Sequence, residues 1–229
     1  MLARRNQRGL SLIELMVGIA VGLLVVAGAA TVTVTQLGDS RRLVVEAQIQ
    51  QDLRATADIM TRELRRAGSW DGATTTVWSP TAAVAVSPID GAELVLVSAS
   101  QITVKSYTGG ATTTLEFRRS GTPGVIQVNQ SGGGWQKLSD DATVDITGLQ
   151  FQVNTLAATP LACPANCPGP GSATACWPTV EVREVQVQIT GQAISDSSVV
   201  RSINTSVRLP NDRVVNNYLP GTGVLCPPP

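Results

Sequence analysis

The acid at position 14 sits where an acid is costly. Glu14 is the only charged residue in an otherwise apolar stretch from Leu10 to Val34. A carboxylate kept in hydrocarbon points by default to a function and to a partner. The nearest candidate cation is one made by cutting the chain: cleavage after Gly9 would give Leu10 a free amine four residues before Glu14. The chemistry open to such a pair is charge matching in a water-poor setting. There an unpaired ion is strongly unfavourable, and an amine–carboxylate contact offsets part of the desolvation cost. In one straight helix the two groups lie about one turn apart, so they could meet within a chain as well as between chains.

A second chemistry lies in the last third of the chain, in Cys163, Cys167, Cys176 and Cys226. In an oxidising compartment an even count reads as two disulfides, with three possible connectivities that sequence leaves open. Cys163-Pro-Ala-Asn-Cys167-Pro-Gly-Pro-Gly is too rich in proline and glycine to order itself by packing. A crosslink there would contribute about 2–4 kcal/mol. A metal site made of all four thiolates is the alternative, but three and eight intervening residues depart from the common CxxC spacing.

Other chemistries are thinly supplied. The 229 residues include no histidine, which removes the commonest general base, a common metal ligand and any Ser-His or Cys-His nucleophile pair. Lys105 and Lys137 are the only lysines. Gly132-Gly133-Gly134 lacks the strand-to-helix context of a phosphate loop and reads as a turn or loop. Asp140-Asp141 would point to opposite faces of a strand, so a solvated turn is the better reading. No cofactor is implied, and the expectation is a protein that is not an enzyme. Basic and acidic residues number 17 each. Removing a leader with Arg4, Arg5 and Arg8 leaves 14 basic against 17 acidic, a balance of −3 with no footprint for nucleic acid.

The elements that must position these residues begin with a helix. The apolar run to Val34 is long enough to span a bilayer. Beyond Leu37, apolar residues recur at Val45, Ile49, Leu53, Met60 and Leu64, one face of a helix. The other faces carry charge, with Arg42–Glu46 and Asp58–Arg62 at i, i+4 spacing. Arg62, Arg65 and Arg66 suit a helix C-terminus, and Gly68 supplies a stop. One helix over 10–67 is therefore expected, with 10–34 as transmembrane or filament-core segment and 37–67 amphipathic. It would be on the order of 85 Å long. Gly18 and Gly22 form a small-xxx-small pair suited to close helix approach, although glycine is also common in membrane helices.

After Gly68 the grammar changes to short Val/Ile/Thr-rich runs broken by Gly, Pro, Asn and Asp. Strands are expected at Glu93–Ser98, Gln101–Tyr107, Thr113–Arg118, Val125–Asn129, Val144–Val153, Val182–Thr190 and Val199–Leu209. A hairpin is expected around Gly121-Thr122-Pro123-Gly124. The run from Val185 to Ile189 alternates as a half-buried strand does. Asp71–Pro88 and Ala157–Pro178 read as loops. The fold class is α+β: a long N-terminal helix packed on an antiparallel sheet domain.

Gly9-Leu10-Ser11-Leu12-Ile13-Glu14-Leu15, preceded by a short basic leader, resembles the prepilin signal of type IV pilins and type II secretion pseudopilins. In that motif Glu is the fifth residue after the cut. The resemblance implies a leader at 1–9, cleavage after Gly9 by a prepilin peptidase and N-methylation of Leu10. It also implies a role for Glu14 in assembly against a neighbour's N-terminus. Two plainer readings compete: a secretory signal cut near Ala27-Gly28-Ala29, or a simple anchor oriented by Arg4, Arg5 and Arg8.

The helix end Arg62-Glu63-Leu64-Arg65-Arg66-Ala67-Gly68 and the closing run Val199–Leu209 resemble minor pilins of the PilW class. More loosely they resemble the J-type pseudopilin of type II secretion. The resemblance implies a type IV pilin-like fold, a periplasmic β-rich domain over 68–229 and an inner-membrane anchor before assembly. It further implies a minor pilin acting in priming or at the tip of a type IV pilus, with other minor pilins and the major pilin as partners. A J-like pseudopilin and a membrane-anchored periplasmic binding module are the alternatives. Unlike many major pilins, this chain has no proline in the helical segment, the first being Pro80.

Overall fold

A computed structural model describes residues 11–73, 87–163, 177–210 and 212–215. It has the expected α+β architecture, a long first helix followed by antiparallel sheets. The helix α1 spans Leu12–Leu64. By packing, the chain divides at Val45/Glu46 into two units.

In the first unit every described helix residue up to Val44 is exposed. Leu12 is 77% exposed, Leu24 75% and Val34 69%. By length and composition α1 is apolar enough here to cross a membrane. A Cβ added at Gly18, Gly22 or Gly28 would meet nothing within 4 Å, so these positions leave open space beside the helix.

In the second unit the same helix buries a stripe of Ile49, Leu53, Thr56, Ala57, Met60, Thr61 and Leu64. The apolar repeat located four of these. Thr56 and Ala57 fill the seven-residue gap between Leu53 and Met60, where small side chains let the sheet come close. The helix ends at Leu64, three residues before the expected Ala67. The last turn tightens to i, i+3 bonds, Arg66 N to Glu63 O and Ala67 N to Leu64 O, a common way to use the last free carbonyls. Gly68 then takes φ 72° and donates its N–H to Lys105 O at 2.8 Å. The left-handed conformation favours glycine there.

The expected strands appear, in a five-stranded antiparallel meander and a three-stranded sheet. The meander runs in the order β1 (Leu94–Ser98), β2 (Gln101–Thr108), β3 (Ala111–Ser120), β4 (Val125–Gln130), β5 (Trp135–Lys137). The three-stranded sheet is built from β6 (Val144–Thr155), β9 (Arg183–Ala193) and β10 (Val200–Arg208), in the order β10-β9-β6. The alternating run fixes β9 as its centre: Val185, Val187 and Ile189 are all fully buried. A small third sheet pairs β7 (Thr159–Pro160), β8 (Thr179–Glu181) and β11 (Arg213–Val215) in the order β11-β8-β7.

The two larger sheets meet along β6. Ile146 N donates to Gly124 O at 2.8 Å, and Phe151 N to Ala99 O at 2.8 Å. Gly124 N in turn donates to Asp145 Oδ1 at 2.6 Å. A Cβ on Gly124 would lie 2.1 Å from Ile146 O, so only glycine allows the approach. Within this unit the helix covers both sheets. Asp52 accepts from Thr143 Oγ1 at 3.1 Å beside β6, while Ile59, Glu63 and Arg66 border a groove over Val104, Leu115 and Phe117.

Three details depart from the sequence reading. β7 lies inside the expected loop Ala157–Pro178, because two residues suffice to pair with β8 once that strand is beside them. Asp58 and Arg62 do not form the i, i+4 pair: Arg62 Nε turns to Glu63 at 3.5 Å, and Arg66 holds the other oxygen of Glu63 at 3.4 Å. Glu46 pairs with Arg201 of β10, a partner far along the chain that helix spacing could not indicate.

Candidate functional site

The residues read as the site lie at the start of the chain. Gly9 and Leu10 fall outside the described residues. The description starts at Ser11, whose Oγ accepts from Ile13 N at 3.3 Å and whose carbonyl accepts from Leu15 N at 3.1 Å. That makes Ser11 the N-cap of α1. Glu14 stands three residues on, in the first turn, so Ser11-Leu12-Ile13-Glu14 has the spacing of a capping box. That spacing is legible in the sequence, but the costly acid at position 14 masks the ordinary serine before it.

Glu14 therefore has a local role in addition to any partner. A carboxylate in the first turn complements the partial positive charge of the helix N-terminus. The helix end also directs free N–H groups towards whatever carries negative charge there. Around Glu14 every described side chain is apolar or small, and all are exposed: Leu12, Ile13, Leu15 and Met16 at 77, 70, 54 and 61%. The geometry is a helix N-terminus with one acid, set in an apolar surface that the chain itself leaves bare.

Of the four cysteines, Cys163 is described and buried, with 8% of its surface exposed. Cys167, Cys176 and Cys226 lie outside the described residues. Gly132-Gly133-Gly134 forms the turn joining β4 to β5, with Gly132 and Gly134 at φ 77° and 99°. Asp140 is exposed and folds back on its own loop, accepting from Ala142 N at 2.9 Å and Thr143 Oγ1 at 3.2 Å. Asp141 pairs with Lys137, and that hydrogen bond, more than the Lys137 charge as such, holds its carboxyl below the usual carboxylate range. Among the described residues no cluster of His, Cys, Asp and Glu suits a metal.

One polar pair was not anticipated. Glu93, 4% exposed, and Arg183 bring Oε1 and Nη1 to 2.5 Å. The approach is one of charges rather than a well-directed hydrogen bond, since among the described residues neither Glu93 oxygen has a hydrogen-bond donor in line. The pair joins the entry to β1 with the start of β9. No local signal announces it: Glu93 and Arg183 each sit at a strand end, where charge is ordinary.

Comparison with known proteins bears on both halves. Residues 4–30 match the model of the prokaryotic N-terminal methylation motif. Residues 42–209 match the model described as prepilin peptidase-dependent protein B, and so cover most of the chain. No curated protein and no solved structure matches.

Proposed function

The chain belongs to the family of prepilin peptidase-dependent protein B, and from that premise we propose that it is a minor pilin, a structural and assembly subunit of a type IV pilus. A prepilin peptidase cuts after Gly9 and the new N-terminus, Leu10, is N-methylated. The leader and apolar helix hold the precursor in the inner membrane, N-terminus cytoplasmic, with the β-rich domain in the periplasm. The subunit then joins other minor pilins and the major pilin, in priming or at the filament tip. It performs no catalysis and takes no cofactor.

The observation that carries this reading is the setting of Glu14. It is the fifth residue after Gly9, in the first turn of a helix whose next three turns and more are apolar and exposed. Within a bilayer or filament that surface loses its contact with water, and the Leu10 amine and the Glu14 carboxylate stabilise one another as charges deprived of hydration. Open space at Gly18 and Gly22 suits a neighbouring helix. In the periplasm the four cysteines form two disulfides, a reading that the burial of Cys163 supports.

Mass spectrometry of the protein from native membranes tests the reading. A mature chain starting at N-methyl-Leu10 is expected. A start near Ala30, or an intact Met1, would falsify it. Glu14→Ala is expected to insert and to be cleaved but to assemble poorly. Normal filament incorporation of Glu14→Ala would remove Glu14 from the mechanism.

A further inference from the structure

The third sheet is made of very short strands: β7 has two residues, β8 three and β11 three. Strands of that length hold few backbone bonds, and even a longer strand pair is marginal in water by itself. β7 and β8 run antiparallel, with Thr159 opposite Val180 and Pro160 opposite Thr179. The ladder continues one step past the end of β7, since Leu161 N donates to Pro178 O at 2.8 Å. Proline has no N–H with which to return that bond, which ends the regular pattern at this step.

We propose that Cys163 is bridged to Cys176, which leaves Cys167 to pair with Cys226. The register carries the first bridge. Moved on by one position from Leu161 and Pro178 it sets Ala162 against Trp177, and by two it sets Cys163 against Cys176. Cys176 itself lies outside the described residues, but it is the chain neighbour of Trp177, which is described, and adjacent Cα atoms are about 3.8 Å apart. Leu161 and Pro178 occupy a hydrogen-bonded position of the ladder, and these positions alternate. The Cys163 position is the next of that kind, where opposed Cα atoms lie about 5.5 Å apart. That separation is inside the range of about 4.4–6.8 Å that a disulfide accepts. Burial follows the same alternation. Cys163 and Pro178 are buried and Ala162 is exposed. Directly opposed residues share a face, as do alternate residues of one strand, so Cys176, two before Pro178, belongs to the face of Cys163.

The direction of the chain carries the second bridge. β11 pairs with β8 antiparallel, Val215 opposite Thr179. The chain therefore leaves β11 at the end of the sheet where β7 runs on to Cys163 and where β8 begins. The eleven steps from Val215 to Cys226 reach at most about 40 Å, so length is no obstacle. One bridge then joins β7 to β8, and the other ties the segment after β11 to the segment between β7 and β8. All three strands are fastened at one end, where their own hydrogen bonds are fewest. Either other connectivity takes Cys163 away from the cysteine that the ladder sets opposite it. Each bridge forms by thiol–disulfide exchange: two thiols give two protons and two electrons to the disulfide of a thiol oxidoreductase, which leaves as a dithiol. The proposal rests on the periplasmic placement given above, because a reducing compartment keeps thiols free.

The full-length chain from native membranes is treated with iodoacetamide to block free thiols and then digested, without reduction, by elastase. Cuts after Ala165 and Ala173 separate Cys163, Cys167 and Cys176. Fragmentation of the bridged peptides by mass spectrometry is expected to join Cys163 to Cys176 and Cys167 to Cys226. Cys163 joined to Cys167 or to Cys226 would overturn the proposal. Cys163→Ser is expected to leave one thiol open to iodoacetamide, at Cys176; labelling of Cys167 or Cys226 instead would also overturn it. Four labelled thiols in the unsubstituted chain would mean that the placement in an oxidising compartment has failed. The purified chain is then oxidised with oxidised glutathione and its bridges are read again. Cys163–Cys176 as the main product upholds the pairing without the placement, and any other main partner for Cys163 sinks it.

Discussion

Two stretches of α1 have the same backbone and opposite surroundings. Residues 12–44 expose every described side chain, including leucines and valines at more than half of their surface. From Ile49 to Leu64 the same helix buries seven residues against its own sheets. The difference is in the pattern rather than in apolar content. As far as Val34, and Glu14 apart, the first stretch is apolar all round, which fits a membrane or other helices on every side. The second has one apolar stripe and charged flanks, which fits one covered face. A helix that is uniformly apolar does not choose a face of its own domain, so its burial is left to its surroundings.

That contrast predicts where substitutions act, and the largest effect is expected far from the first stretch. Arg183→Ala leaves Glu93 buried and without its countercharge. Breaking a buried pair in this way typically costs about 3–5 kcal/mol. Urea unfolding of the full chain in detergent, followed by β-sheet circular dichroism, should show a clearly lowered midpoint. The companion variant Glu93→Gln with Arg183→Met should recover much of the loss, because replacing both charges removes the unpaired ion. A loss for Arg183→Ala equal to that of an exposed arginine would show that the pair contributes nothing.

The next effect compares the two stretches directly. Leu53 is 1% exposed, its Cδ2 3.3 Å from where a Cβ on Gly191 would stand. Leu53→Ala should cost about 2–5 kcal/mol through lost transfer energy and the cavity left behind. Leu24→Ala, at a site 75% exposed, should leave the β-domain's unfolding midpoint where it was. Equal effects on the β-domain from both would mean that the first stretch is a structural part of it, and the contrast between the two stretches would fail.

These cases also mark how much could be read from residues alone. The fold class, the helix and the longer strands were legible because each repeats a pattern over several residues: the stripe Ile49, Leu53, Met60, Leu64 at helical spacing, the run Val185, Val187, Ile189 at alternate positions. β5, β7, β8 and β11 were not, since two or three residues are too few to show a period and the strands exist only beside their partners. The pairs Glu46–Arg201 and Glu93–Arg183 depend on residues 155 and 90 positions apart being brought together by the fold. The arrangement around Glu14 was legible for a different reason: it needs no folding partner, only a fixed spacing within one helical turn. The exposed edge of β1 was hidden, because an apolar run reads the same at the centre of a sheet and at its rim.

A smaller effect tests the helix–sheet contact at a glycine. A Cβ at Gly191 would stand 2.8 Å from Val144 Cγ1 as well as against Leu53. Overpacking of this kind costs typically about 1–3 kcal/mol. Gly191→Ala should therefore destabilise, whereas Gly22→Ala, with nothing within 4 Å, should not. Pairing Gly191→Ala with Val144→Ala should return part of the loss by making room. If it does not, the cost lies in the β9 backbone and not in the approach of β6 and α1.

The smallest expected effect concerns Asp141, at the exposed end of the same domain. Its carboxyl is held below the usual range chiefly by the hydrogen bond from Lys137. A depressed carboxylate pKa in the folded state contributes stability above the unfolded value and loses it as pH falls through the folded one. For a group so open to solvent, screening leaves that contribution slight, so the local titration is the better readout. Side-chain carboxyl chemical shifts followed from neutral to acid pH should place the Asp141 midpoint below the ordinary carboxylate range. Lys137→Ala should raise the Asp141 midpoint towards the ordinary range while the unfolding midpoint at neutral pH stays in place. An unmoved Asp141 midpoint would mean that the pair does not persist in solution. A large fall in stability would mean that this turn, read as a solvated surface, instead supports the packing of β5 and β6.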